Sequence, residues 1–333
     1  MPKEITHFAL ARSFGRHLPE TSLFFGPITQ YPNLFCLGAV VPDIPFFYLA
    51  GPYRKTIQTL SNPFHSADAS ALVPVLRFLG TFGSPTALAL AAGVVYHLVS
   101  DTRFHPLVYY YAGMDNVHQG ATGRHRQFET ALDLHFHYLY GGEASLYHLV
   151  RSVEIPGRVL DRYLMALFRA DGLPPRTLCL ARLWHAGLQY LFRARAMRRV
   201  VAWDRQHARV LPDRVSGVVY PFGRAVRLPF FSGAVQYRDP YTGAPIETTI
   251  TDMAAQTISS GVTVLERVAG MIRSAPGATD RDLAGMVLQD PVLSQVRPDL
   301  DPDRFTHWRG KGNLLADLYR GTALQTCHGH PDP

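Results

Sequence analysis

The chain has 333 residues, of which 47% are hydrophobic and 18% are charged, so it can form a buried core and is not an intrinsically disordered protein. Its net charge of +7 comes almost entirely from arginine, because only Lys3, Lys55 and Lys311 are lysines. A GC-rich genome would explain this bias, and so would attraction to phosphate-bearing substrates or to an anionic membrane surface. No basic run interleaved with aromatic residues indicates a nucleic-acid groove.

Three cysteines, Cys36, Cys179 and Cys327, are far apart and form no CxxC pair. They are typical of reduced thiols, and the first residues lack the charged and apolar regions of a signal peptide. Two apolar stretches, over 34–50 and 86–99, are interrupted or too short to span a membrane and are expected in the core. The sequence therefore predicts a cytoplasmic protein without a transmembrane segment.

The spacing of apolar residues predicts a mostly helical chain. An opening helix is expected over 5–18, closed by Pro19. The next clear helix begins with Ser84 as N-cap and Pro85 in the first turn, and we expect Pro106 to end it. One further helix is predicted to begin after Gly123 and to stop at Gly141, and others are predicted over 144–153, 158–170, 178–208 and 249–273.

Two regions depart from this helical pattern. Residues 212–245 are rich in Pro, Gly and aromatics, which predicts a loop-rich excursion with room for a short hairpin. From residue 274 the chain becomes rich in Asp and Pro, which predicts short helices and a mobile tail. The expected fold is all-α, with one multi-helix domain over 1–273 and an appended C-terminal segment over 274–333.

Two stripes of imidazole and carboxylate groups are the strongest functional signal. His97, Asp101 and His105 recur every four residues and so lie on one face of a helix. His125 and Glu129 do the same on the next helix, and that stripe continues at 133 and 137. These groups could pair with one another, but burying so many ionisable side chains without a metal would be costly. Imidazole with carboxylate is a donor set that zinc favours.

Three positions outside these stripes complete the candidate set. His7 lies in the opening helix, Asp43 in an apolar loop flanked by prolines, and His65 at a junction between a loop and a helix. Each has an ordinary alternative, as a capping group, a turn former and a satisfied core histidine respectively. We expect all of these side chains to converge on one pocket, with His7 and Asp43 at its edge.

In this order, the motifs His … Asp … His … His-x3-Asp-x3-His … His-x3-Glu resemble those of the zinc-dependent phospholipase C family, over about residues 4–140. The resemblance implies two or three zinc ions in a multi-helix domain. It would place His65, His97, Asp43 and Asp101 at the first ion. It would place His105, His125 and Glu129 at the second, and His7 at a third ion bridged by Asp101.

The resemblance also implies the chemistry, which is metal-dependent hydrolysis of a phosphoester, with a phospholipid at a membrane surface as a candidate substrate. Asp43 is the candidate general base or water-orienting group as well as a ligand. Arg124 and Arg126 flank His125 and could pair with phosphate oxygens, although the sequence favours solvated arginines on the helix surface. Phe46 and Phe64 could form an apolar substrate wall, or simply pack in the core.

Two other functions remain open on the sequence alone. A nuclease or nucleotidase would use the same metal ligands. A non-catalytic protein could hold a structural metal in a helical scaffold, although structural zinc sites are usually closed sets of four ligands rich in cysteine. Here the ligands are too many for one ion and no cysteine falls in the motifs, which favours catalysis.

Overall fold

The computed structural model describes residues 4–114, 117–141, 146–208, 210–223, 225–310 and 314–320. Within these ranges the chain is predominantly helical, with two short strands, as the all-α prediction required. None of the helices in the described ranges is both long and apolar enough to cross a bilayer. The helices are α1 (Glu4–Gly15), α2 (Phe25–Gln30), α3 (Pro32–Gly38), α4 (Arg54–Thr59), α5 (Val73–Thr81), α6 (Pro85–Ala112), α7 (Ala121–Tyr140), α8 (Leu146–Ser152), α9 (Gly157–Leu167), α10 (Thr177–Arg193), α11 (Arg195–Trp203), α12 (Asp213–Ser216), α13 (Ile250–Ser274), α14 (Asp280–Gln289) and α15 (Leu314–Leu318).

The long helix α6 is the centre of the fold. Ser84 is its N-cap and accepts a hydrogen bond from the Ala87 amide at 3.2 Å, as predicted. The prediction that Pro106 ends this helix was wrong, because α6 continues through it to Ala112. Proline removes only one hydrogen bond from the helix, and the buried Leu107 supports the turn that follows through packing.

Close backbone contact locks α6 against α3. A Cβ added at Gly93 would lie 2.2 Å from the Phe35 carbonyl oxygen, and one added at Gly38 would lie 2.3 Å from the Leu90 carbonyl oxygen. Real Cβ atoms do not approach so closely, so only glycine allows this crossing. The crossing brings Ala39, which follows α3, beside the stripe of polar groups on α6.

Around this pair pack α1, α2, α5, α7 and α13, which enclose one continuous apolar core. The helix predicted over 178–208 is broken at Ala194, whose ψ of 135° is extended. It forms α10, α11 and a π-helical turn over Asp204–Ala208. The loop-rich region contains α12 and the first strand of an antiparallel hairpin, β1 (Ala234–Arg238) and β2 (Pro245–Thr249), in which Tyr237 lies opposite Ile246.

The C-terminal segment packs on the helical body. Helix α14 begins with a capping box between Thr279 and Asp282, and it lies against α5. Its Leu283 and Val287 belong to the same buried cluster as the rest of the core. The domain boundary at residue 273 stays a prediction, and the predicted mobile tail over 328–333 lies outside the described residues.

We expect Gly93→Ala to destabilise the protein by roughly 3 kcal/mol or more, because the new methyl group meets the backbone of α3. Gly270→Ala is the matched control, since Gly270 lies in α13 with no atom within 4 Å of an added Cβ. That change should stabilise by about 0.5–1 kcal/mol through helix propensity. Urea unfolding of both variants measures the difference, and equal stabilities would contradict the close crossing.

Candidate metal centre

The stripe on α6 lies inside the protein. His97, Asp101 and His105 are each no more than 1% exposed and project on successive turns of the helix. The stripe on α7 faces it, with His125 and Glu129 also buried and their Nε2 and Oε1 atoms 2.9 Å apart. The packing of α6 against α7 therefore brings the two predicted stripes together.

Asp101 is the centre of this cluster. Its Oδ2 lies 3.2 Å from the Nε2 of His97 and 3.9 Å from the Nε2 atoms of both His65 and His105. Its Oδ1 lies 3.5 Å from the Nε2 of His7, which α1 supplies. One buried carboxylate thus faces four imidazole rings that come from three separate parts of the chain.

Asp43 reaches the same cluster from a 3₁₀ helix over Val41–Phe47. Its Oδ1 lies 3.1 Å from the Nε2 of His65 and 3.7 Å from the Nε2 of His97. His65 follows the 3₁₀ turn Asn62–Phe64 directly, which is why its ring can meet that of His97 edge-on at 5.6 Å.

Three groups of donor atoms have the spacing that a metal ion requires. In each group the candidate ligand atoms lie within 4.8 Å of one another. The groups are His7, Asp43 and His97; His65, His97 and Asp101; and His105, His125 and Glu129. The last group is the set that the family resemblance implied for a second ion. Asp43 and His97, which the resemblance placed at the first ion, also lie close enough to His7 to share an ion with it. The assignment of ligands to individual ions stays a prediction.

Backbone carbonyl groups orient three of the rings. The Nδ1 of His97 lies 2.9 Å from the Ala39 oxygen, that of His65 lies 3.0 Å from the Ser61 oxygen, and that of His105 contacts the Pro298 oxygen. A carbonyl oxygen can only accept, so each Nδ1 carries the hydrogen and each Nε2 is left to face the cluster. This is the arrangement in which proteins present a neutral imidazole to a metal.

The inward-facing atoms fit a bound cation. Among the described residues, Nε2 of His97, Nε2 of His105 and both oxygens of Asp101 are buried and have no hydrogen-bond partner. Buried polar atoms without hydrogen bonds are costly, whereas imidazole nitrogens and carboxylate oxygens are ordinary zinc donors. The donor chemistry therefore fits the zinc ions that the family resemblance implies.

The electrostatics of the cluster are strongly perturbed. Burial, together with the neighbouring His97, lowers the pKa of His7 to about 3, and burial holds the pKa of His105 well below its usual value. Burial also opposes the charge on His97, but Asp101 and Asp43 outweigh it and raise the His97 pKa to about 9. The same attraction, from His97 and His105, holds the Asp101 pKa well below normal despite its burial. Positive charge is therefore favoured at the middle of the cluster.

A cavity of about 600 Å³ opens beside these groups. Asp43, His65, His105, His125 and Glu129 line it, so the cluster has one accessible side. The expectation that His7 lies at the edge was wrong. Its ring is fully buried, stacks on that of His97 with centroids 4.5 Å apart and does not line the cavity.

The candidate substrate residues divide into two pairs. Phe46 and Arg126 line the cavity, and the Phe46 ring lies 5.0 Å from that of His65. Phe64 is 1% exposed and packs edge-on against Phe168, so it belongs to the core. Arg124 donates to the carbonyl oxygens of residues 112 and 119 and covers the Trp308 ring, which keeps it out of the lining. For Phe64 and Arg124 the structure does not support the predicted contact with substrate.

The four-residue spacing put Asp133 on the same stripe as His125 and Glu129, but its side chain binds the start of α1. It accepts hydrogen bonds from the Thr6 amide at 2.8 Å, the Thr6 hydroxyl at 2.6 Å and the Tyr220 hydroxyl at 2.6 Å. The Ile5 amide donates to it as well, at 3.3 Å. The amides of Ile5 and Thr6 belong to the first turn of α1, where backbone N–H groups have no partner within the helix itself. Asp133 therefore anchors the helix that carries His7.

The cavity residues that were not found from the sequence include Tyr109, His185, Gln189 and Asp299. Tyr109 donates to Asp299 at 2.8 Å, and both line the cavity. On another wall, the Phe47 ring stacks on that of His185 at 4.4 Å, and the Gln189 side chain lies 3.0 Å from the same imidazole. His185 and Gln189 are one helical turn apart, which was a signal, but their link to the metal cluster needs the packing of α10 on the turn that carries Phe47.

A conservative change at the α1 anchor should be measurable. Tyr220→Phe removes a donor to Asp133, so we expect a loss of about 1–3 kcal/mol in the free energy of unfolding. Zinc affinity should fall with it, because α1 holds His7 in place. Tyr53→Phe, at a side chain that is 52% exposed, is the control and should change stability by less than about 0.5 kcal/mol. Similar melting temperatures for the two variants would contradict the anchoring role.

Zinc should stabilise the native state, because it binds donor atoms that converge only in the folded chain. After removal of metal with EDTA, we expect a lower melting temperature that zinc restores, with about 2.7 kcal/mol gained at a free zinc concentration one hundred times the dissociation constant. Magnesium, which prefers oxygen donors, is the control and should not restore it. A melt that neither chelator nor zinc moves would exclude a tightly bound cluster.

Comparison with known proteins gives one match. The family model described as "Zinc dependent phospholipase C" matches residues 6–170, about half of the chain. That range contains all eight candidate ligands, whereas α10 and Asp299 follow it. No curated protein and no solved structure matches the chain.

Proposed function

The chain belongs to the zinc-dependent phospholipase C family, and from this premise we propose that it hydrolyses a phosphodiester of a phospholipid with the help of two or three zinc ions. The kind of function that the family supports is phosphoester hydrolysis. One observation on this chain supports the proposal. Asp101 faces four Nε2 atoms that backbone carbonyls and helix packing aim at it, beside a cavity large enough for a substrate head group.

The residues that would hold zinc are the eight that converge at this cluster. Bound there, zinc would neutralise charge on the phosphoryl oxygens and lower the pKa of a water molecule towards 7. The role of the protein chain is to keep the donor atoms in place. The carbonyls at Ala39, Ser61 and Pro298 do this by fixing the tautomers of the three rings that they contact.

Asp43 is the proposed general base or water-orienting residue. It lines the cavity, whereas Asp101 lies fully buried behind it. Its Oδ1 contacts His65 and His97, so its carboxylate is held in the wall where a substrate and a water molecule would meet. Arg126, in the same lining, is a proposed contact for phosphate oxygens.

The remaining functions are less well supported. A nuclease or nucleotidase would use the same donors, but the apolar Phe46, Phe47 and Leu49 in the lining suit a substrate with an apolar part. A purely structural metal would not need a cavity against its ligands. The cytoplasmic location stays a prediction.

Two carboxylate variants separate metal binding from catalysis. We expect Asp43→Asn to keep most of its zinc while turnover of a chromogenic phosphodiester falls by about a hundredfold or more, as for a lost general base. Asp101→Asn should lose zinc and turnover together, because four imidazole rings converge on that carboxylate. Elemental analysis and steady-state kinetics on the same preparations measure both effects.

The matched control is Asp252→Asn on the exposed start of α13, which should change neither zinc content nor turnover. Undiminished activity in Asp43→Asn would exclude it as the base and leave the metal centre standing. Wild-type protein that holds zinc but hydrolyses no member of a broad phosphoester panel would favour the scaffold function.

A further inference from the structure

Helix α10 exposes a row of large apolar side chains on its outer side. Leu180, Leu183, Trp184, Tyr190 and Leu191 are each at least 40% exposed. Leu180 lies one turn before Leu183 and Trp184, and Tyr190 and Leu191 follow those two residues after seven residues, or two turns. All five therefore lie on one side of the helix, here called the α10 stripe. Single exposed apolar residues are ordinary, but a contiguous patch of this kind marks a surface that binds something.

The opposite side of α10 faces the cavity. His185, Gln189 and Phe192 are buried, and all three line the cavity beside the metal cluster. Helix α10 also packs on the 3₁₀ helix that carries Asp43. Whatever covers the α10 stripe therefore lies about 10 Å from the cavity wall, which is the diameter of one helix.

Two exposed arginines follow the α10 stripe along the chain. Helix α11 begins one residue after α10, and its Arg195 and Arg199 are both exposed. In the part of the chain that the structure describes, neither guanidinium has a carboxylate within ion-pair distance. Guanidinium groups pair well with phosphate, and exposed arginines next to apolar side chains are typical of helices that lie on anionic bilayers.

We propose that the α10 stripe, with Arg195 and Arg199, binds the surface of a bilayer that contains anionic phospholipids. The tryptophan, tyrosine and leucine side chains enter the region between head groups and acyl chains, and the arginines contact the phosphates. The protein lies on the bilayer rather than across it, which accords with the finding that none of its described helices could span one. This inference rests on the proposed function, because binding to the bilayer would serve to bring the cavity close to a phospholipid substrate.

Vesicle binding tests this surface without requiring turnover. Zinc-loaded wild-type protein is sedimented with vesicles of phosphatidylcholine and with vesicles of an equal mixture of phosphatidylcholine and phosphatidylserine. We compare the stripe variant, Leu183→Gln with Trp184→Gln and Tyr190→Gln, and the arginine variant, Arg195→Gln with Arg199→Gln. Glutamine keeps helix propensity, and Leu288→Gln, at a leucine 62% exposed on α14, is the matched control.

The wild type and the control should bind the mixed vesicles equally. The stripe variant should bind at least about a hundredfold more weakly, because three apolar side chains no longer enter the bilayer. The arginine variant should lose about thirtyfold on mixed vesicles and little on phosphatidylcholine, at roughly 1 kcal/mol for each arginine near an anionic surface. Lipids with brominated acyl chains should quench the fluorescence of wild-type protein and quench the stripe variant much less.

Kinetics provide a second, separate arm. Both variants should hydrolyse a soluble chromogenic phosphodiester like wild type and lose activity only on vesicle phospholipid. If the wild type hydrolyses neither substrate, the proposed catalytic function fails while the vesicle measurement still decides the surface. Equal vesicle binding by wild type and stripe variant would overturn the proposal. So would a wild-type dimer that binds no vesicles and that the stripe variant dissociates, because a second copy would then cover this face.

Discussion

The burial of one carboxylate against four imidazole rings is the constraint on which the rest of this structure depends. Asp101 has no exposure, and a buried carboxylate needs positive charge nearby. Burial lowers the pKa of His7 and that of His105, so these rings offer lone pairs rather than charge. Zinc would supply the charge and use the lone pairs, which couples metal binding to folding.

Helix packing makes that burial possible. The glycine crossing of α6 and α3 brings the two backbones together and places the Ala39 carbonyl beside the His97 ring. On the far side, Asp133 binds the first amides of α1 and so holds His7 against His97. Backbone carbonyls orient three of the ligand rings, and the packing of α6 against α7 brings the two stripes together.

The two halves of the chain contribute different things. The amino-terminal half, which matches the family model, contains the candidate ligands. The carboxyl-terminal half closes the cavity, since α10 supplies His185 and Gln189, and the segment after α14 supplies Pro298 and Asp299. The matched range therefore holds the candidate ligands, residues of both parts line the cavity, and the outer face of α10 belongs to the part beyond the match. Substrate choice is therefore expected to depend on both parts of the chain.

The sequence by itself determined the helical class, the end of α7 at Gly141 and the two stripes of ligands, because a four-residue spacing places side chains on one face of a helix whatever surrounds it. It did not determine the continuation of α6 past Pro106 or the anchoring role of Asp133, since both depend on packing against distant residues. It also could not reveal that Phe64 lies in the core while Phe46 lines the cavity. Local spacing predicts which side chains share a helix face, whereas only the tertiary structure determines which residues that face contacts.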